Sequence, residues 1–398
     1  MFEGKNVVLG VTGSIAAYKA VDIASKLTQK GLSVDVVMTG AALEFVTALS
    51  FRSVTHRPVV TDMWEPSSEF SVEHVALAER ADVLVIAPAT ANTIAKLAAG
   101  IADEMLTCTV LATRSPVILA PAMDAGMFNN AVTQENLAKL RSRGFTIVGP
   151  DYGRLASGLV GLGRLADTDE ILAAVFQVLG RKGDLVEKQV VVSAGGTREP
   201  VDPVRYIGNR SSGKMGYAVA VAARDRGAVV TLVSSVTELP PPSGVEMMPV
   251  ETASEMRDAV LKASAAADVL IMAAAVADYK SVQVAEGKIK RESETLTLEL
   301  VKTADILSEV TGDIVKVGFA AESGELVDRA TEKLRKKQLD LIVANDITAE
   351  DSGFGTDTNR VTLIDRRGKV EELPLMDKYE VAHHILDRVA ALLSSPED

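Results

Sequence analysis

One cysteine, Cys108, occurs in 398 residues, so an internal disulfide and a multi-cysteine metal site are both excluded. Histidine is almost as scarce: His56, His74, His383 and His384 are the whole complement, and none falls into H-E-x-x-H or a comparable ligand spacing. Positive charge is in deficit, with 42 Lys and Arg against 54 Asp and Glu. The resulting net charge of −12 argues against nucleic acid or an anionic membrane as main partner. Anionic small molecules stay open, because local Lys and Arg clusters decide that question. No apolar run approaches the ~20 residues of a membrane span. The opening Met1-Phe2-Glu3-Gly4-Lys5 has no signal-peptide pattern. A cytoplasmic location is therefore expected.

What is present points to two domains, each long enough to bury its own core. Two glycine-rich strand-to-helix openings sit about half a chain apart. The first is Val7-Val8-Leu9-Gly10-Val11-Thr12-Gly13-Ser14-Ile15-Ala16-Ala17-Tyr18-Lys19. The second is Val190-Val191-Val192-Ser193-Ala194-Gly195-Gly196-Thr197, reaching Asn209-Arg210-Ser211-Ser212-Gly213-Lys214-Met215-Gly216. A short apolar strand that breaks into glycines lets a ligand approach the backbone, and the N–H groups of the next helix can hold its anionic group. Two such openings with different flanking chemistry suggest a fusion of two active domains.

In the first half, apolar runs at 6–9, 33–38, 83–88, 116–120 and 146–148 predict buried parallel strands. Helical patterns at 15–30, 93–100, 130–142 and 168–179 separate or follow them. The polar stretch 180–184 is the expected boundary, giving domains 1–184 and 185–398. The second half restarts the alternation, with strands expected at 189–193, 229–234, 269–272, 315–319 and 341–344 and a closing helix at 377–393. The charged segment 278–300 is less regular and suits a crossing to a partner or a cover over a site. Cys108, inside an apolar run, reads as a buried core thiol.

The Gly13-Ser14-Ile15 turn departs from G-x-G-x-x-G, so it suits a single phosphate better than a dinucleotide. Thr39 follows the second strand, and Pro88-Ala89-Thr90-Ala91-Asn92-Thr93 follows a later one. Any one of these hydroxyls is explained as a helix N-cap, but their recurrence at successive strand ends also fits a shared crevice. A nicotinamide dehydrogenase fits less well. The G-x-G-x-x-G glycines are missing, and strand two ends in Val37-Met38-Thr39 with no acidic ribose anchor. Gly208-Asn209-Arg210-Ser211-Ser212-Gly213-Lys214-Met215 nearly makes a P-loop, but Met215 replaces the hydroxyl that would bind magnesium. It reads instead as a donor-rich loop, in which Arg205, Asn209, Ser211, Ser212 and Lys214 could hold a phosphorylated carboxylate. A solvated surface loop is the plainer alternative.

Residues 10–19, His74, 88–92 with Ala99-Gly100 and Asp103, Pro121-Ala122-Met123 and Gly161-Leu162-Gly163-Arg164 resemble the homo-oligomeric flavin-containing cysteine decarboxylases. With the second half added, nearly the whole chain resembles the bacterial bifunctional phosphopantothenoylcysteine decarboxylase/phosphopantothenate–cysteine ligases. The resemblance implies an α/β fold of two Rossmann-like three-layer domains, a flavodoxin-like decarboxylase followed by a ligase. It implies FMN held by Gly13, Ser14, Ile15, Thr39, Pro88, Ala89, Thr90 and Asn92, with His74 as the active-site base. FMN would oxidise the cysteinyl thiol so that carbon dioxide can leave, and an enethiol would then be reduced.

Two positions depart from the family pattern. Its P-x-M-N-x-x-M reads Pro121-Ala122-Met123-Asp124-Ala125-Gly126-Met127, and the expected proton-donating cysteine of A-C-G reads Ala156-Ser157-Gly158. An ionised Asp124 would repel a substrate carboxylate unless it is protonated, bridged or used differently. A serine hydroxyl is also a far weaker acid than a thiol.

In the second half, Gly195-Gly196-Thr197, residues 205–209 and 211–216, Ala273-Ala274-Ala275-Val276-Ala277-Asp278, Lys288-Ile289-Lys290-Arg291, Lys302-Thr303-Ala304-Asp305, residues 318–322 and Lys333 with Lys337 resemble the ligase signature. The resemblance implies CTP as co-substrate, Mg²⁺ with unassigned ligands, and an acyl nucleotide formed from 4′-phosphopantothenate before cysteine attacks. Asn209 and Lys288 would be catalytic. Thr303, Ala304, Asp305 and Ile306 would join Asp278, Phe319, Lys333 and Lys337 around the nucleotide. It also implies trimeric decarboxylase cores and paired ligase domains. Two alternatives stay open: a decarboxylase that stops at the enethiol, and a non-catalytic flavoprotein module.

Overall fold

A computed structural model describes residues 2, 4–64, 73–236, 238–290, 296–322, 326–346 and 355–394, the side chains of Glu322 and Asp346 excepted. Contacts divide the chain into two compact units, 1–179 and 180–398.

In the first unit β1 (Asn6–Val11), β2 (Ser33–Met38), β3 (Val59–Val60), β4 (Val83–Ala89), β5 (Val117–Pro121) and β6 (Thr146–Ile147) form a sheet in the order β3-β2-β1-β4-β5-β6. Every pairing is parallel. Such a sheet is covered on both faces, which is why its strands read as unbroken apolar runs. Val7 and Leu9 join one apolar cluster while Val8 joins the other, as alternation along a strand requires. The helix Ala17–Gln29 buries Ala17, Ala20, Ile23, Ala24 and Leu27, the i, i+3, i+4 stripe of a helix lying on a sheet. Strand order reverses between β1 and β4, so their carboxyl ends diverge and open a crevice. Beyond the sheet lies a hairpin, β7 (Asp151–Arg154) with antiparallel β8 (Val160–Arg164).

Two features of this unit differ from expectation. The hairpin is an addition to the expected strands, because its Gly-Leu-Gly alternation carries little apolar signal. Cys108 is half-buried rather than a core thiol. Its Sγ lies 3.3 Å from the Ala102 carbonyl and 3.5 Å from Met63 Sδ, within the helix Met105–Ala112, which follows exposed residues 101–103. Burial, with Asp103 and Glu104 nearby, pushes the thiol upward and away from thiolate chemistry.

The second unit contains β9 (Gln189–Ala194), β10 (Arg198–Pro200), β11 (Tyr206–Gly208), β12 (Val229–Ser234), β13 (Glu246–Pro249), β14 (Val269–Met272), β15 (Tyr279–Ser281), β16 (Leu300–Lys302), β17 (Val315–Glu322), β18 (Leu341–Asp346), β19 (Thr358–Asn359), β20 (Val361–Asp365), β21 (Val370–Glu372) and β22 (Met376–Asp377). Its main sheet has eight strands in the order β13-β12-β9-β14-β17-β18-β20-β21. The first six run parallel, and β20 and β21 are antiparallel additions. The irregular segment expected at 278–300 contributes β15, which pairs with β16. Its residues 291–295 lie outside the described set, Arg291 of the basic motif included.

The helices Lys214–Asp225 and Lys378–Ser394 pack together through a buried polar contact. Arg224 donates to Asp225 Oδ1 through Nε (2.8 Å) and Nη2 (2.6 Å), and the Tyr379 hydroxyl donates to Oδ2 (2.8 Å). Burial first, then the adjacent carboxylate, push the Tyr379 phenol upward, so it remains a neutral donor. Removing one partner of a buried pair is far worse than never having it. Asp225→Ala is expected to destabilise the second unit by about 3–5 kcal/mol, read as a lower denaturant midpoint for the transition that reports this unit.

Candidate active sites at the two sheet edges

At the carboxyl edge of the first sheet lies a cavity of about 840 Å³. That volume is within the range that takes up small-molecule cofactors. Gly13, Ser14, Ile15, Thr39, Thr90 and Asn92 line it, together with Phe45, Met123 and Met127 on its apolar walls. Its shape depends on close backbone approach. A Cβ added to Gly13 would stand 2.5 Å from Ala41 Cβ, so only glycine leaves the turn where it is. A Cβ on Gly163 would stand 2.1 Å from the Met123 carbonyl, and Met123 N donates to Gly163 O at 3.0 Å. This is why the Pro121–Met123 and Gly161–Arg164 motifs, far apart in sequence, meet at one wall.

Thr12, between β1 and the Gly13 turn, ties the two diverging strands. Its hydroxyl donates to Pro88 O (2.6 Å) and accepts from Thr90 N (3.1 Å). Thr39 and Thr90 do cap short helices, accepting from Ala42 N and Thr93 N at 3.3 Å each. They line the cavity as well, so both explanations of these hydroxyls hold together. Pro88 and Ala89 are buried behind the wall and do not line it. His74 is half-buried near the start of the helix Glu73–Arg80 and is not among the lining residues either.

The two departures from the family pattern touch each other. Ser157 Oγ donates to Asp124 Oδ2 at 2.7 Å, and Asp124 Oδ1 accepts from Gly126 N at 3.0 Å. Both residues line the cavity. The serine hydroxyl, then the Gly126 N–H, hold the Asp124 carboxyl below the usual carboxylate range. Of the alternatives for Asp124, this geometry matches the bridged one. Arg154, on the same hairpin as Ser157, adds a cation to this wall. A single Arg between Gly153 and Leu155 makes no motif by which to find it.

In the second unit the loops after β9 and β14 meet at a parallel bridge between Gly196 and Ala275. Gly195 has φ +90°, and a Cβ on Gly196 would stand 2.3 Å from the Asn209 carbonyl. The Asn209 amide is fixed by donation from Nδ2 to Val276 O at 3.0 Å. Ala277 N donates to Thr197 Oγ1 (2.9 Å), Thr303 Oγ1 to Ala277 O (2.6 Å) and Thr303 N to Asp278 O (3.0 Å). Lys333 Nζ reaches Phe319 O at 2.8 Å, and Lys337 pairs with Asp305. Lys333 thus reaches strand β17, and Lys337 the residue that precedes the helix Ile306–Glu309. Burial raises the Asp305 carboxyl, but Lys337 and Ser308 outweigh it and hold the group low. Ile306 is a core residue, 4% exposed, and its side chain does not reach this crevice.

Lys214 is occupied. Its Nζ lies 2.8 Å from Asp357 Oδ1 and 3.0 Å from Gly355 O. Lys378 is buried beside it and donates to Thr356 O. Burial, then the charge of Lys214, lower the Lys378 ammonium. Asp357 belongs to no sequence motif, because the loop carrying it lies 143 residues from Lys214 and nothing local links them. Ser211 and Ser212 cap their own loop, accepting from Gly213 N and Lys214 N at 3.4 and 3.5 Å. Lys288 is exposed on the segment leading away from β15.

The cavity of the first unit and the two parallel-sheet units define a class: a two-unit α/β protein with a flavin-type half. Residues 1–180 match the family model Flavoprotein, and residues 185–393 match the DNA/pantothenate metabolism flavoprotein C-terminal domain. The coenzyme A biosynthesis bifunctional protein CoaBC of Bacillus subtilis (strain 168) is 44% identical over 398 residues, covering 98% of each chain. Its namesake from Escherichia coli (strain K12) is 42% identical over 393 residues, covering 97% of each. A crystal structure of the C-terminal domain of a CoaBC protein aligns at 41% identity with TM-score 0.46, covering 53% of this chain and 98% of that one. The chain belongs to the family of coenzyme A biosynthesis bifunctional proteins. It is an enzyme with decarboxylase and ligase activities in that synthesis. Among the described residues no helix is long and apolar enough to cross a membrane.

Replacing Ser157 removes the largest contribution to the low Asp124 value. In Ser157→Ala the carboxyl-carbon NMR titration of Asp124 is expected to move up toward the ordinary aspartate range. An unchanged titration would mean that Gly126 alone sets it.

Proposed function

We propose that the second unit condenses 4′-phosphopantothenate with cysteine using CTP, and that the first unit decarboxylates the product to 4′-phosphopantetheine with FMN. The observation that carries this reading is the pairing, in one chain of this family, of a flavin-sized cavity with a second unit in which the Asn209 amide is held in place and Lys333 reaches strand β17.

In the ligase unit the 4′-phosphopantothenate carboxylate attacks the α-phosphate of CTP, releasing pyrophosphate and leaving an acyl cytidylate. The amine of cysteine then displaces CMP to form the amide. Arg205, Ser211, Ser212 and Lys214 hold the anionic substrate. Asn209, its amide already oriented by Val276, stabilises the acyl nucleotide. Lys288, Lys333 and Lys337 offset triphosphate charge, while Asp278, Thr303, Ala304 and Phe319 shape the nucleotide pocket. Among the described residues no cluster of three or more His, Cys, Asp or Glu side chains could hold a metal ion, so Mg²⁺ would come with the triphosphate and would offset its charge.

In the decarboxylase unit Gly13, Ser14, Ile15, Thr39, Thr90 and Asn92 fit FMN: a helix N-terminus for the phosphate, hydroxyls and an amide for the ring edge, and apolar walls. Bound FMN supplies two-electron oxidation of the cysteinyl thiol and the later return of those electrons. His74 takes the thiol proton as the general base. It does so from a neighbouring copy in a homotrimer, and the ligase units pair, so the working enzyme is a cytoplasmic homo-oligomer.

A second reading, release of an enethiol, is favoured by the Ser157–Asp124 contact. The hydroxyl already donates to a carboxylate that stays ionised, so neither group offers the acidic proton that saturation requires.

Purified protein given 4′-phosphopantothenate, cysteine, CTP and Mg²⁺ is expected to yield saturated 4′-phosphopantetheine by mass spectrometry. Accumulation of the enethiol would favour the second reading, and absence of any condensation product would sink the ligase assignment. Chelating Mg²⁺ is expected to abolish pyrophosphate release while decarboxylation of supplied 4′-phosphopantothenoylcysteine continues.

A further inference from the structure

We propose that Asp202, which belongs to no motif of the ligase signature, is the positioning residue that sets Arg205 and Lys288 relative to one another for the ligation step. This rests on the ligase reading of the second unit. The Asp202 side chain is fully buried, yet Asp202 sits within three residues of the exposed Arg205. One carboxylate oxygen, Oδ1, accepts from Val204 N and Arg205 N, both at 2.8 Å, and so fixes the turn that carries Arg205. The other, Oδ2, accepts from Ile289 N at 3.1 Å and so fixes the residue next to Lys288. Arg205 closes the loop from its own end. Its Nε lies 3.5 Å from Asp202 Oδ2, and Nη2 donates to Ile289 O at 2.8 Å. Ala285 N adds a backbone bond to Val201 O at 3.0 Å.

The 202–205 and 285–289 segments are 80 or more residues apart in sequence, and β15 is a strand of only three residues, so it does little to orient the chain beyond it. Burial alone would raise the Asp202 carboxyl. The N–H groups of Val204, Ile289 and Arg205, with the Arg205 charge, outweigh it and hold the group ionised. An ionised carboxylate accepts at both oxygens at once, which a neutral side chain of the same size cannot do. Asp202 touches no reacting atom; its effect on chemistry passes through Arg205 and Lys288. A misplacement of about 1 Å in such groups costs on the order of 100-fold in rate.

Asp202→Asn keeps the volume but turns one acceptor into a donor, facing either the Arg205 turn or Ile289 N. In the full-length enzyme, pyrophosphate release from CTP with 4′-phosphopantothenate and cysteine is expected to fall about 100-fold in kcat. The KM for CTP is expected to stay within about threefold, and decarboxylation of supplied 4′-phosphopantothenoylcysteine to keep its rate. Amide hydrogen exchange at Ile289 is expected to accelerate, and adding Asp202→Asn to Lys288→Ala to cost clearly less than it costs in wild type, because part of its effect passes through Lys288.

Equal loss of both activities would overturn the proposal, since it would mark a general folding defect. So would an undiminished kcat, or the same fold-loss in the Lys288→Ala background as in wild type. A wild-type enzyme that releases no pyrophosphate fails the ligase reading itself. One that does so while Asp202→Asn matches it fails this inference alone.

Discussion

A buried hydroxyl just past the first strand of each sheet is the contact on which both sites depend. In the first unit it is Thr12, 1% exposed, spanning from the end of β1 to Pro88 and Thr90 beyond β4. In the second, Ser193 and Thr197 accept from Ala274 N and Ala277 N and join the end of β9 to the loop after β14. A parallel sheet satisfies its backbone groups only as far as its strands stay paired. Where neighbours diverge at a switch point, the last N–H and C=O groups need other partners. The hydroxyls provide them and thereby keep the crevice open at a fixed width. Everything lining the two crevices hangs from these ties.

The strands that build the frames were legible because parallel strands buried on both faces read as unbroken apolar runs, as at Val83–Ala89 and Val269–Met272. The glycine turns were legible because close approach excludes any Cβ, at Gly13 and Gly196 alike. What sequence could not supply was pairing across distance. The contact between Ser157 and Asp124 spans 33 positions, that of Lys214 with Asp357 spans 143, and neither leaves a local trace. The hairpin β7–β8 escapes sequence reasoning for another cause. It exposes alternate residues and is rich in glycine, so its period-2 signal nearly vanishes. Asp202 did carry a signal, since Asp before Pro marks a turn start, but the partner at Ile289 is invisible without the fold.

Seen singly, the Asp and Ser replacements in the decarboxylase half look like two defects. In the folded chain they form one hydrogen-bonded unit. The hydroxyl partly neutralises a carboxylate that would otherwise stand bare at the cavity wall, and Arg154 brings a countercharge to that same wall. The local field is therefore less negative than a bare Asp would make it.

The ion pair between Lys214 and Asp357 means that the ligase unit carries its own counter-anion in the free state. An incoming phosphate or carboxylate does not meet a bare ammonium; it exchanges with a carboxylate already there. Such a swap leaves the number of formed ion pairs unchanged, so added salt weakens the starting state and the bound state together. Any anion that took the place of Asp357 at Lys214 would therefore bind with little dependence on ionic strength.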